Sequence, residues 1–250
     1  MALKAVILCA GYGKRLEPYS KRYQKTMLPL HGKPILEYII NGLTYAGIKD
    51  IIMVVGYKKE QIMDYFKEGA KWGANIEYVE QRKLDGTGAA LLLCEDLIAN
   101  DHFFLTWGDI LVPYEIYKKV CDLYRSERNK FILVANYTED TSRGAAVLCQ
   151  DNYCLDIIEK PPRGTIDSNL NNCGIFVLST EIFKAIKMIK PSPRGEIELP
   201  QALSLGVRVM DWKIRVLIMS KDQFRGDMGN IEEYKKLKED KNWLKGLISH

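Results

Sequence analysis

The sequence predicts an α/β protein with a three-layer α/β/α arrangement around a mostly parallel, mixed central sheet. Three observations carry this. Short apolar runs alternate with helical patterns through the first half of the chain. Most of these runs are apolar at nearly every position, as in strands covered on both faces. Their order, strand–loop–helix–strand–helix–strand–helix–strand, is the one that right-handed parallel crossovers build.

The strands expected first are "AVILC" (5–9), "DIIMVV" (50–55), "NIEYVE" (75–80) and "HFFLTW" (102–107). "NIEYVE" alternates polar and apolar residues, which places it nearer an edge. Between them, Pro34 opens a helix over "ILEYIINGLTYAG" that ends near Gly47. "KKEQIMDYF" and "GAALLLCEDLI" form the next two helices. In the second half "FILVANY", "AAVLCQ", "CLDIIEK" and "CGIFVLS" are short strand candidates between turn residues. "EIELPQALSLG" begins a helix, "RVMDWKIRVLIM" is strand-like, and the last twenty residues read as one amphipathic helix. No internal repeat or Ser/Gly linker divides the chain, so residues 1–250 are read as one domain with two functional halves. A chain of 250 residues is long enough for a sizeable core.

At 47% hydrophobic and 27% charged residues the composition is that of an ordinary globular protein. A formal net charge of +4 is too small for a general nucleic-acid or membrane binder. No charged stretch followed by a long apolar segment opens the chain, so no signal peptide is expected. No apolar run approaches the ~20 residues of a membrane span. The cysteines at 9, 94, 121, 149, 154 and 173 include no C-x-x-C pair and mostly lie in apolar runs. They read as reduced core residues of a cytoplasmic protein, in preference to disulfides or a zinc site.

The cations are clustered. After "AVILC" the loop collects Lys14, Arg15, Lys21, Arg22 and Lys25 against a single acid, Glu17. The P-loop pattern fails: its first glycine would fall on Leu8 and its hydroxyl residue on Arg15. The dinucleotide fingerprint fails at Leu16, where its third glycine belongs. A solvated basic loop that binds nothing is the plain alternative. Anion binding is favoured because Gly11 and Gly13 let backbone N–H groups approach a phosphate. Arg15 can fork two phosphate oxygens, and Lys25 adds a point charge.

"LCAGYGKRLEP" (8–18) and "QKTMLPLHGKPILEY" (24–38) together resemble the G-x-G-[ST]-R-L…P-K-x-[ML]-x-[PV] signature of the sugar-1-phosphate nucleotidyltransferases. The resemblance continues in register through "QRKLDGTGAA" (81–90), "WGD" (107–109), "RGAAV" (143–147), "IIEKP" (157–161), "NNCGIF" (171–176), "GEIEL" (195–199) and "RGDMGNIEEY" (225–234). It implies a Rossmann-like fold, with a nucleotide-binding half near 1–110 and a sugar- and metal-binding half near 111–250. It also implies a reaction. A sugar-1-phosphate oxygen attacks the α-phosphorus of a nucleoside triphosphate in line, and pyrophosphate leaves, with Mg²⁺ and cationic side chains stabilising the charge.

By this resemblance Arg15 and Lys25 hold the pyrophosphate portion, and Asp109 and Asp227 ligate Mg²⁺. Ala10, Gly11, Gly13, Gln81, Gly86 and Thr87 bind the nucleotide. Gln81 reads the base edge, where an amide that both donates and accepts suits uracil or thymine. Glu159 accepts from sugar hydroxyls, Lys160 holds the sugar phosphate, Gly144 offers its backbone, Asn172 contacts the sugar, and Glu196 lies near it. Each has a plainer reading: a helix cap for Asp109, an Asx-turn for Asp227, a solvated amide for Gln81, a surface ion pair for Glu159 and Lys160, and a first-turn helix acid for Glu196.

The chain departs from the signature at Lys14, which replaces a small hydroxyl residue, and at Cys173, which replaces Thr or Ala. Trp107 precedes the Gly-Asp pair, where its ring could shape a pocket. No hexapeptide repeats follow, so no acyltransferase activity is implied. The partners implied are a nucleoside triphosphate and a sugar-1-phosphate, without nucleic acid or membrane; self-association is left open. Two competing readings remain. One is a cytidylyltransferase acting on a non-sugar phosphate, and the other is a non-catalytic sensor or scaffold of the same fold.

Overall fold

The computed structural model describes residues 3–99, 101–128 and 130–248. In chain order the first elements are β1 (Ala5–Leu8), α1 (Tyr19–Arg22), the paired β2 (Pro29–Leu30) and β3 (Lys33–Pro34), and α2 (Ile35–Tyr45). They are followed by β4 (Asp50–Val55), α3 (Lys59–Phe66), β5 (Asn75–Glu80), α4 (Thr87–Leu92) and β6 (His102–Trp107). Then come β7 (Ile110–Leu111), α5 (Tyr114–Glu127), β8 (Phe131–Tyr137), β9 (Ala145–Gln150), β10 (Tyr153–Glu159) and β11 (Leu170–Ser179). The chain continues through α6 (Ile182–Met188), α7 (Leu199–Val209), β12 (Ile214–Ile218), β13 (Gly226–Asp227), α8 (Ile231–Glu239) and α9 (Trp243–Ile248).

The chain forms two compact units and passes between them repeatedly. Unit 1 comprises Met1–Leu84, Thr106–Lys119 and Gln223–His250; unit 2 comprises Asp85–Leu105 and Val120–Asp222. In unit 1 the strand pairs β1–β4 and β4–β5 are parallel. β1 pairs with β4 from Ala5↔Ile51 to Leu8↔Val54, and β4 pairs with β5 from Asp50↔Asn75 to Val55↔Glu80. β1 is fully buried and β4 is buried beyond its first residue, which is why their sequences are continuous apolar runs. β5 is half-buried and alternates, as its sequence predicts.

Unit 2 is mixed, in the strand order β11-β8-β12-β10-β9. β8 and β12 run parallel, and the other pairs are antiparallel. β9 and β10 form a hairpin whose turn residues Asp151 and Asn152 both take positive φ, as a tight turn matching the strand twist requires. Helix α7 packs on β10 in this unit. The buried Asp156 carboxylate of β10 accepts from Ser204 Oγ at 2.6 Å and pairs with Arg208, both on α7.

Two expectations need correction. "RVMDWKIRVLIM" is not one strand: α7 runs on to Val209, Asp211 turns the chain at φ 61°, and β12 begins only at Ile214. The C-terminal segment is two helices. α8 stops at Glu239, Asp240 is extended, and its carboxylate accepts from Asn242 N–H at 2.8 Å before α9 begins. Residues 249–250 lie outside the described residues.

Candidate active site

The carboxyl ends of the unit 1 strands come together. Gly108 N–H, just past β6, donates to Leu8 O of β1 at 2.9 Å, and Tyr57 N–H, just past β4, donates to Ala10 O at 3.0 Å. Gly56 has no room for a side chain, since a Cβ there would lie 2.9 Å from Ala10 and 3.1 Å from Gln81 O. Thus Ala10, Gln81 and Asp109 leave neighbouring strand ends, where open α/β sheets take their ligands.

The loop after β1 folds back over Lys25. Gly13 sits at φ 67°, a left-handed conformation that glycine adopts without strain. It is also crowded: a Cβ on Gly13 would lie 2.9 Å from Lys25 Cβ, and one on Gly11 would lie 3.5 Å from Lys25 Cε. Gly13 therefore makes room for the lysine stem, while a side chain at Gly11 would meet it only at ordinary van der Waals distance. Lys25 Nζ ends 2.5 Å from Asp109 Oδ2, with side-chain exposures of only 21% and 16%. Beside this pair lies a cavity of about 180 Å³ whose charged lining residues are Lys14, Arg15 and Lys25, with Met228 and Gly229 also lining it. All of its charged lining residues are cations, which suits an anion. The Arg15 guanidinium approaches Gly229, where a Cβ would lie 3.1 Å from Arg15 Nη2.

Asp109 sits in the turn between β6 and β7, before α5, so it does not cap that helix. Asp227 reaches the same place from 118 residues further on (227 − 109). β13 pairs antiparallel with β7, Asp227 opposite Ile110, and Met228 N–H donates to Asp109 O at 2.9 Å. Asp227 does form the Asx-turn that its sequence allows, Oδ1 accepting from Gly229 N–H at 2.8 Å. Its Oδ2 lies 3.2 Å from Arg225 Nη2. Among the described residues no three His, Cys, Asp or Glu side chains cluster as a cage. Two carboxylates beside an anion cavity nevertheless fit Mg²⁺, which typically takes one or two protein carboxylates and completes its shell with water and substrate phosphate.

Gln81 is 6% exposed, so it is not a solvated amide. The glycine loop that follows belongs to unit 2. Gly86 (φ 111°) and Gly88 lie against the backbone of Ile197, where a Cβ on Gly86 would overlap the chain. Gly88 N–H donates to Ile197 O and Ile197 N–H to Asp85 O. Thr87 Oγ1 accepts from Leu199 N–H at 3.0 Å, at the start of α7.

The residues expected on the sugar side, Gly144, Glu159, Lys160, Asn172 and Glu196, all lie in unit 2. Gly144 O accepts from Lys160 N–H at 2.7 Å, closing the open end of the β9–β10 hairpin and bringing Gly144, Glu159 and Lys160 together. Lys160 Nζ is 3.3 Å from Glu159 Oε1. Burial pushes the Glu159 carboxyl above its ordinary value and Glu198 adds to this, while Lys160 and Arg194 pull the other way. Asn172 on β11 is 1% exposed; its Oδ1 accepts from Gly174 N–H at 2.8 Å, and its Nδ2 is a buried donor with no hydrogen bond. Glu196 is in the loop before α7, not in its first turn, 3.4 Å from Arg194.

Sequence reasoning passed over several residues. Arg194 stands among three carboxylates, 2.6 Å from Glu198, 3.4 Å from Glu196 and 3.5 Å from Glu159. Its place immediately before "GEIEL" was the available signal. Gln24 is fully buried beside Lys25. Its Nε2 donates to Cys9 O at 2.5 Å, and its Oε1 accepts from Thr26 N–H at 2.5 Å and Thr26 Oγ1 at 2.7 Å. Gln61 of α3 accepts from Gln24 N–H at 2.7 Å. Arg225 lies inside the quoted "RGDMGN" stretch.

Glycine-loop cations at the end of a parallel strand, with two carboxylates beside them, define a phosphate-handling α/β protein. Residues 4–242 match the nucleotidyl transferase family, and the chain belongs to it. Over 201 residues it is 38% identical to the bifunctional protein GlmU of Methanococcus maripaludis, covering 80% of this chain and 46% of that protein. It is 35% identical over 216 residues to a bifunctional sugar-1-phosphate nucleotidylyltransferase/acetyltransferase of Sulfurisphaera tokodaii, covering 86% of this chain and 50% of that protein. The chain thus spans about half the length of these curated relatives. A solved UDP-glucose pyrophosphorylase complexed with UDP-glucose matches with a TM-score of 0.85 at 26% identity, covering 96% of this chain and 98% of that one. Among the described residues no helix is long and apolar enough to cross a membrane.

Proposed function

We propose that the protein transfers a nucleotidyl group from a nucleoside triphosphate to a sugar-1-phosphate, releasing pyrophosphate. The observation that carries this reading is that the β7–β13 pairing brings the backbones of Asp109 and Asp227 together, Met228 N–H donating to Asp109 O, while Asp109 is paired with Lys25, which lines a cavity with Lys14 and Arg15. A non-catalytic sensor has no need of that arrangement. Arg15 and Lys25 hold the β- and γ-phosphates and offset the charge that builds on the leaving pyrophosphate. Mg²⁺ bound at Asp109 and Asp227 would add positive charge at the triphosphate, lowering the cost of attack at the α-phosphorus.

In unit 2, Lys160 holds the sugar phosphate, Glu159 accepts from a sugar hydroxyl, and Asn172 Nδ2, a buried donor without a partner, is satisfied by a sugar oxygen. The sugar-phosphate oxygen attacks, the bond from the α-phosphorus to the bridging oxygen breaks, and the electron pair leaves with pyrophosphate. No protein nucleophile enters. Gln81 complements a uracil or thymine edge. Cytosine inverts two of those contacts and leaves buried polar groups unpaired. The five buried cysteine thiols support a cytoplasmic protein.

The test is pyrophosphate release over a matrix of nucleoside triphosphates and sugar-1-phosphates with Mg²⁺. UTP or dTTP is expected to exceed CTP by ~10²-fold or more in kcat/KM. A preference for CTP or GTP would overturn the base assignment; no release with any pair would overturn the reaction.

A further inference from the structure

Both carboxylates of the candidate cation site are already held by cations of the chain itself. Lys25 Nζ is 2.5 Å from Asp109 Oδ2, and Arg225 Nη2 is 3.2 Å from Asp227 Oδ2. The Lys25–Asp109 pair is four-fifths out of solvent on each side, so water screens it only in part. Yet Lys25 also lines the cavity whose other charged residues are Lys14 and Arg15. One ammonium group is shared between a carboxylate and a cavity built for an anion. Its stem runs where Gly11 and Gly13 present no side chains. Its terminal ammonium is a point charge on a four-carbon stem, so rotation about the outer side-chain bonds alone is enough to exchange one partner for the other.

We propose that Lys25 competes internally with the divalent cation for Asp109, and that a polyphosphate entering the cavity draws Lys25 off and so opens Asp109. The proposal rests on Asp109 and Asp227 being the cation ligands. Its consequence is a coupling between two sites: polyphosphate strengthens cation binding and, by linkage, the cation strengthens polyphosphate binding by the same factor. A cation alone meets a carboxylate whose charge is already compensated, and binds weakly.

The experiment measures binding of Mn²⁺ alone by calorimetry or electron paramagnetic resonance, with no nucleotide or phosphate present. Lys25→Met keeps the length of the stem and removes its charge. It is expected to bind Mn²⁺ at least ~10-fold more tightly than the unsubstituted protein, within the 5–150-fold range typical of site-to-site coupling. Lys25→Arg should stay near the unsubstituted affinity, and Asp109→Asn added to Lys25→Met should erase the gain. Melting temperatures check folding, and Lys25→Gln serves if the methionine variant fails to fold. Inorganic tripolyphosphate in the presence of EDTA should bind the unsubstituted protein, and Lys25→Met should weaken that binding. If Lys25→Met leaves Mn²⁺ affinity unchanged while Asp109→Asn lowers it, the competition is overturned and the ligand assignment stands. If Asp109→Asn has no effect on Mn²⁺ binding in either background, the ligand assignment falls and the competition with it. If tripolyphosphate needs a metal to bind, its role in displacing Lys25 is overturned.

Discussion

Gln24 orders the glycine loop after β1 without carrying a charge. Its amide is fully buried, one end on Cys9 O and the other on Thr26, while its backbone N–H is held by Gln61. Alanine there removes the buried acceptor of Thr26 N–H, a cost of about 1–3 kcal/mol. The expected outcome for Gln24→Ala is a lower melting temperature together with a higher KM for triphosphate; normal values of both would show the loop holds itself. Glu159 makes a pH prediction. Its carboxyl is raised by burial, and by Glu198, against the pull of Lys160 and Arg194. As pH falls it is protonated earlier than an ordinary carboxylate and is a poorer acceptor for the sugar hydroxyl proposed to donate to it. The KM for sugar-1-phosphate should therefore rise at a pH above the ordinary carboxylate range, and the rise should vanish in Glu159→Gln. Its stability contribution has the opposite sign: present below the ordinary value and lost as pH rises through the raised one. The charged residues were legible because charge stands out in a sequence. Charge alone was not enough, however: Gln24 and the isolated Arg194 were not legible, because their roles depend on contacts, as with Cys9 fifteen residues from Gln24 or Glu159 thirty-five from Arg194.

At the scale of elements, β4, β5 and β6 fall where the sequence places them, since a strand buried on both faces or alternating at an edge writes its burial into its composition. The join of α7 to β12 was hidden because Met210 and Trp212 extend the apolar run through the turn. Trp212 has its own reason to be there: it stacks on Phe131 at 4.1 Å and packs over Gly206 of α7, where a Cβ would overlap the indole. Helix propensity alone makes Gly206→Ala stabilising by about 1 kcal/mol. Overpacking against a stacked ring costs about 1–3 kcal/mol, so the melting temperature should fall, and a rise would show that Trp212 relaxes freely. Glu37 of α2 ties its helix to Lys33, 2.9 Å away, and to Tyr65 of α3, 2.8 Å away. Burial works to raise its carboxyl, but hydrogen bonds from Lys33, Tyr65 and Trp72 outweigh it and hold it below its ordinary value. That stability is present above the ordinary value and lost as pH falls through the depressed one. Glu37→Gln should therefore unfold more easily at neutral pH and show less acid sensitivity than the unsubstituted protein; equal acid sensitivity would contradict the assignment.

For the whole molecule, the decisive feature is the chain's return. Residues 106–119 and 223–250 rejoin the N-terminal unit, and they bring Asp109 and Asp227 to the glycine loop. Spacing alone says nothing of this pairing, since the β7–β13 ladder is two residues long and carries no strand pattern; only the run of motifs in register pointed to it. The central claim is that these two carboxylates hold the cation that makes nucleotidyl transfer fast. It is tested most directly by the kcat for pyrophosphate release of Asp109→Asn and Asp227→Asn at saturating Mg²⁺, with melting temperatures confirming the fold. The account predicts that each variant folds and loses at least ~10²-fold in turnover, the scale of one electrostatic contact at the reacting phosphate. Near-normal turnover in either variant would contradict it.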